Sequence, residues 1–257
     1  SEYYETNLTD TERRIAYNYE MQMCRTGKIN GVNYQDSLFR GIEVDGDSVD
    51  SDKIQFERAL VNSQISNILK QAGVDTSSIK EECTFTVDPY SYEITVDGVD
   101  EETKVLMQNA LNVGNNGKNL YKHIYYCSTQ DGCESSQVTE ESKMKYEAYH
   151  QVYSYTGYGL DKLEEKNGTY YTESGENILD LVDSAVESSG KVPKEFKQQM
   201  KNWIHDLVST ISTRGWNNVP DMTLSILYGK SGLKDMNQLI TYQYEADSTN
   251  RQWYSVL

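Results

Sequence analysis

The sequence lacks any run of about 18 consecutive apolar residues, so no segment is built to cross a bilayer as a helix. No segment reads as a secretory signal either, which leaves cell surface and cytoplasm both open as compartments. Basic residues never run longer than a pair, and 40 acids against 24 bases leave a formal charge of −16. A field of that sign repels phosphate backbones and anionic head groups, so nucleic acid is not an expected partner and membrane insertion is not expected.

Recognisable reactive motifs are missing as well. The cysteines, Cys24, Cys83, Cys127 and Cys133, include no CxxC pair, and His123, His150 and His205 lie far apart, so zinc has no local signature. Cys127 and Cys133 bracket the loop CSTQDGC, and the bend at Gly132 suits a small disulfide worth about 2 kcal/mol; in a reducing compartment the same pair is two thiols. No GxSxG elbow occurs. His205 and Asp206 are neighbours on a predicted helix and diverge by about 100°, which does not make a triad. Gly229-Lys230-Ser231 ends like a phosphate-binding loop, but Leu224 stands where that loop needs glycine.

The acidic run from Asp45 to Asp52 fails the EF-hand pattern, with Val49 at loop position five, Asp50 at six and Phe56 at twelve. It leaves two readings. Asp45, Asp47, Asp50 and Asp52 form an irregular calcium site, or they are solvated acids that favour the N-terminus of the next helix through its dipole. No other cofactor is expected. Carboxylates paired in space for glycoside hydrolysis leave no sequential signature among 40 acids.

What the chain has in quantity is tyrosine: 21 residues, against four phenylalanines. Tyrosine joins an apolar ring to a polar tip, which suits half-buried faces, protein interfaces and sugar stacking; it also replaces phenylalanine in helix–helix contacts.

Several elements are predicted. Thr9 and Glu12 form a capping box for a helix to about Thr26. A second helix starts near Asp50 or Ser51 and carries Ile54, Val61, Ile65, Ile68 and Ala72, with Arg58 interrupting the stripe and covering the core edge with its stem. Alternation predicts a β-hairpin at about 84–97, with Phe85, Val87, Tyr92, Ile94 and Val96 inward and Asp88-Pro89-Tyr90-Ser91 as the turn. Asp100 caps a helix, Gly114-Asn115-Asn116-Gly117 breaks it, and a short helix covers Leu120–Tyr126. Thr139 caps a helix ending at Gly157, and Asn167-Gly168 predicts a small hairpin. A helix runs from about Gly175 to Ser188. Pro193 opens the strongest helix, whose stripe is Phe196, Met200, Trp203, Ile204, Leu207, Val208 and Ile211. Short strands are expected near 222–228 and 239–245.

The fold expected is therefore α+β and helix-dominated, a single domain over 1–257 with candidate subdomains 1–128 and 138–257. Two segments, TFTVDPYSYEITVDG at Thr84–Gly98 and LNVGNNGKNLYKHIYY at Leu111–Tyr126, resemble the domain of unknown function DUF4885. The resemblance implies a Gram-positive source of Bacillus or Clostridium type and carries over no activity. The function expected is a non-enzymatic interaction or structural module with a protein or carbohydrate partner. The alternatives are a hydrolase using paired carboxylates and a calcium- or carbohydrate-binding protein.

Overall fold

The computed structural model describes residues 28–29, 32–33, 49–76, 79, 82–129 and 135–237, with side-chain surroundings for Arg58 and from Val61 onward. The expected helix at 9–26 and strand at 239–245 lie outside the described residues. The chain divides into two compact units, one made of Ser1–Asp88, Tyr92–Gln137 and Leu224–Leu257, the other of Pro89–Ser91 and Val138–Thr223.

In the first unit, β1 (Lys28–Ile29) pairs with β2 (Val32–Asn33), and α1 spans Val49–Gln71. A four-stranded antiparallel sheet follows, from β3 (Cys83–Val87), β4 (Ile94–Asp97), β7 (Leu224–Gly229) and β8 (Gly232–Asp235), in the order β4-β3-β7-β8. Period-two alternation sends Phe85, Val87, Ile94, Val96, Leu224 and Ile226 into the core. The centre of the sheet is nonlocal: Phe85 faces Ile226 and Val87 faces Leu224. The glycine-lysine-serine triplet lies at the β7–β8 turn, where Gly229 pairs with Gly232.

The hairpin begins its return strand later than the alternation suggests. Tyr92 sits in the turn at φ 61 and is half-buried, its ring edge-on to Tyr121 at 5.3 Å. Asp88 and Tyr92 are tied by a 3.0 Å backbone hydrogen bond. α2 (Glu101–Leu111) starts at Asp100, whose carboxylate accepts from Thr103 N at 2.9 Å. It buries Met107 and Leu111 and leaves Val105 and Leu106 exposed. α3 (Asn116–Ser128) starts inside the predicted helix-breaking run. Gly117 is required there because a Cβ would lie 1.9 Å from Tyr92 O.

The second unit is built on α4 (Glu140–Thr156), α5 (Ile178–Ser188) and α6 (Lys197–Arg214), with the hairpin β5 (Glu164–Lys166) and β6 (Thr169–Tyr171). Thr139 and Ser142 form a reciprocal capping box, and Gly157 closes α4 at φ 75. Asn167 and Gly168 both take positive φ, 53° and 78°, as a two-residue hairpin turn demands. The core joins Ala148 and Val152 of α4, Ile178, Val182 and Val186 of α5, and Ile204, Val208 and Ile211 of α6. The α6 stripe is shorter and narrower than expected: Phe196 precedes the helix and is exposed, and Trp203 within it is exposed. Periodicity identifies the apolar face of a helix but not where its packing partners end.

Candidate functional site

Two buried cations organise the polar chemistry of the described residues, one in each unit. Arg58 on α1 is not at the core edge; it is 0% exposed. Its Nε donates to His123 Nε2 at 2.8 Å, its Nη1 to Leu233 O at 3.3 Å, and its Nη2 to Cys127 Sγ at 3.4 Å and Asp235 Oδ1 at 2.5 Å. A guanidinium cannot shed its charge, so burial requires a counter-ion and a partner for its donors. His123 and Cys127 are four residues apart and share one face of α3, while Leu233 and Asp235 come from β8.

Burial and the neighbouring Arg58 hold His123 well below the usual histidine range. It is therefore neutral, with Nε2 as acceptor and the proton assigned to Nδ1. Cysteine, histidine and aspartate meet here, but Nε2 already accepts from Arg58 and lies 3.8 Å from the Cys127 sulfur. All of these side chains are buried. The cluster ties three elements together and offers no exposed group to a substrate. Cys83 is equally withdrawn, its thiol pushed by burial up to about 11.

The second cation opens to the surface. Lys145 on α4 has a side chain 2% exposed; it donates to Val219 O at 2.8 Å and pairs with Asp221 Oδ1 at 2.7 Å. Its Nζ stands 4.3 Å from the Trp216 ring centroid. Asp221 also accepts from Tyr90 OH at 2.5 Å, and its own side chain is 49% exposed. The Tyr90 ring packs against Tyr149 at 4.4 Å and Trp216 at 5.4 Å. Tyr149 in turn runs parallel to Tyr153, at 6.0 Å and 5° between planes. His150 Nε2 donates to Pro89 O at 2.7 Å, and Glu165 accepts from Trp216 N at 3.3 Å. Gly159 lets Tyr149 sit close, since a Cβ there would lie 2.9 Å from Tyr149 OH. Tyr90, Tyr149, Tyr153 and Trp216 thus form an aromatic ledge, with Tyr153 52% exposed.

Sequence reasoning singled out none of these ledge residues, although a signal was present. Lys145, Ala148 and Val152 follow core spacing on α4, so a lysine on that face had to find an internal partner. Of the acidic run, Asp45 and Asp47 lie outside the described residues, while Asp50 and Asp52 fall in the first turn of α1. Cys133 likewise lies outside them, and Cys127 stands within the Arg58 cluster. Among the described residues, no group of three or more His, Cys, Asp or Glu is placed to hold a metal ion. Nor is any helix among them long and apolar enough to cross a membrane.

The fold and its buried clusters define a helix-dominated α+β protein. The chain belongs to the family described as the domain of unknown function DUF4885, whose pattern matches residues 1–255. It is similar to an uncharacterised protein of Bacillus subtilis strain 168, YbdO, at 30% identity over 243 residues. That match covers 94% of this chain and 60% of the relative. No solved structure matches.

Proposed function

We propose that this chain works as a non-catalytic interaction module whose contact surface is the aromatic ledge of the second unit. One observation carries the proposal: Tyr153 is half exposed, yet its ring is held parallel to Tyr149 on a regular helix. Behind it, Tyr90 and Trp216 are fixed by Asp221 and by the buried ammonium of Lys145. Rigid aromatic rings supply contact area at low entropic cost, which is why tyrosine and tryptophan dominate binding surfaces.

A hydrolase acting through paired carboxylates needs one of them pushed upward to serve as an acid. Among the described residues, the carboxylates displaced from their ordinary range, Asp100 and Glu187, move the other way. Thr103 amide and hydroxyl groups lower Asp100, and Lys201 lowers Glu187. Both are helix and ion-pair chemistry, which favours the binding module.

A thermal-shift screen of basic peptides and oligosaccharides tests the proposal on the wild type and on Tyr153→Ala. A ledge ligand at about 100 times its Kd stabilises the wild type by about 2.7 kcal/mol. Tyr153→Ala, binding about tenfold more weakly, should lose about half of that shift. A ligand that stabilises both proteins equally would take the ledge out of the proposal.

A further inference from the structure

The ledge has a charge character that narrows its partner, an inference that rests on the ledge being the contact surface. Three carboxylates border it: Asp221 against Tyr90, Glu165 at the Trp216 amide, and Asp161 beside Tyr149 at Gly159. Among the described residues, two of these carboxylates, Asp221 and Asp161, have a basic partner. Lys145 is buried, and the exposed Lys162 pairs with Asp161 at 3.1 Å. An acidic margin around aromatic rings, on a chain of formal charge −16, complements a cation. Within the site, one cation already binds in this manner: the Lys145 ammonium lies between the Trp216 ring, 4.3 Å away, and the Asp221 carboxylate, 2.7 Å away. Lys166 repeats the ring contact over Tyr171 at 6.0 Å.

We infer that the ledge receives a basic polypeptide segment, with an arginine or lysine head group laid over the Tyr149–Tyr153 pair and paired to the bordering carboxylates. A planar guanidinium gains most, because it stacks on the ring and hydrogen-bonds to carboxylate oxygen at the same time.

Titration calorimetry of the full chain with a deca-arginine peptide tests this, with cellohexaose as a neutral probe. The variants are Tyr153→Ala and Tyr153→Phe, which leave the net charge unchanged. Deca-arginine should bind the wild type and weaken as salt rises from about 0.1 M to 1 M, where the screening length shrinks to about 3 Å. Tyr153→Ala should bind about tenfold more weakly, and Tyr153→Phe within about twofold of the wild type. Equal deca-arginine affinity in the wild type and Tyr153→Ala would mean attraction to net charge alone and overturns the inference. Cellohexaose binding that depends on Tyr153, without a Tyr153-dependent response to arginine, also overturns it while the interaction module stands. Tyr153-independent behaviour of both probes, and of every ligand in the thermal screen, removes the module as well.

Discussion

Arg58 and Lys145 are both buried cations on helices, yet their counter-ions differ in one respect. The Asp235 side chain is 2% exposed and the Asp221 side chain 49%. Arg58 spreads its donors over α3 and β8 and closes the interior behind it. Lys145 is a point charge that braces a carboxylate and a ring at the surface. A sealed ion pair fixes packing; an open one lends rigidity to a face that can meet a partner.

The sharpest way to break this contrast is to remove one counter-ion from each pair. Asp235→Ala strands a guanidinium in the core and should cost the first unit about 3–5 kcal/mol in urea unfolding followed by hydrogen exchange of α1 and α3. Replacing the pair with apolar residues, Arg58→Met with Asp235→Leu, should recover much of that loss. Asp221→Ala leaves Lys145 with Val219 O and with water reachable through the opened surface, so the second unit should lose only about 1–2 kcal/mol. Equal costs would erase the distinction between sealed and open pairs.

Acid should also separate the units. His123 in the folded state lies well below its ordinary value, near 6.5, so below that pH the unfolded chain binds a proton that the folded chain does not. This contribution to the stability of the first unit is complete above about pH 6.5 and falls by up to about 1.4 kcal/mol per pH unit on acidification. Hydrogen exchange of α3 at pH 7 and pH 5 should show it, and His123→Phe, if folded, should flatten it.

The smallest effect is expected at the ledge itself. Tyr153→Ala should shift stability by about 0.5 kcal/mol or less, because an exposed ring contributes little to the core. A larger loss in calorimetric unfolding would make Tyr153 a packing residue.

Local signals carried a good part of the architecture. The Thr84–Val96 alternation, the Thr139 cap, the Asn167-Gly168 turn and the α6 stripe each depend on neighbours within a few residues. What escaped them was mutual. Arg58 interrupts an apolar stripe and Asp235 interrupts an alternating strand, so each alone looks like a surface residue. Only together do they make a core pair, across 177 positions. Strand β8 was missed for the same reason, since its inward residues are Leu233 and a carboxylate. The ledge combines Tyr90, Tyr149, Trp216 and Asp221, whose meeting no spacing rule expresses. Its local traces were Lys145 on the buried face of α4 and the four-residue spacing of Tyr149 and Tyr153 on the same helix.

The pairing of β3 with β7 has a consequence for how the protein is made. Cys83 meets Tyr228 only after the ribosome has synthesised the whole stretch from Val138 to Thr223. Until then β3 presents an unsatisfied edge beside β4, a template for wrong partners. A nascent chain halted before Leu224 should therefore be prone to associate with itself. Folding of the inserted helices first would shorten the loop that β7 must close, and so hasten its arrival.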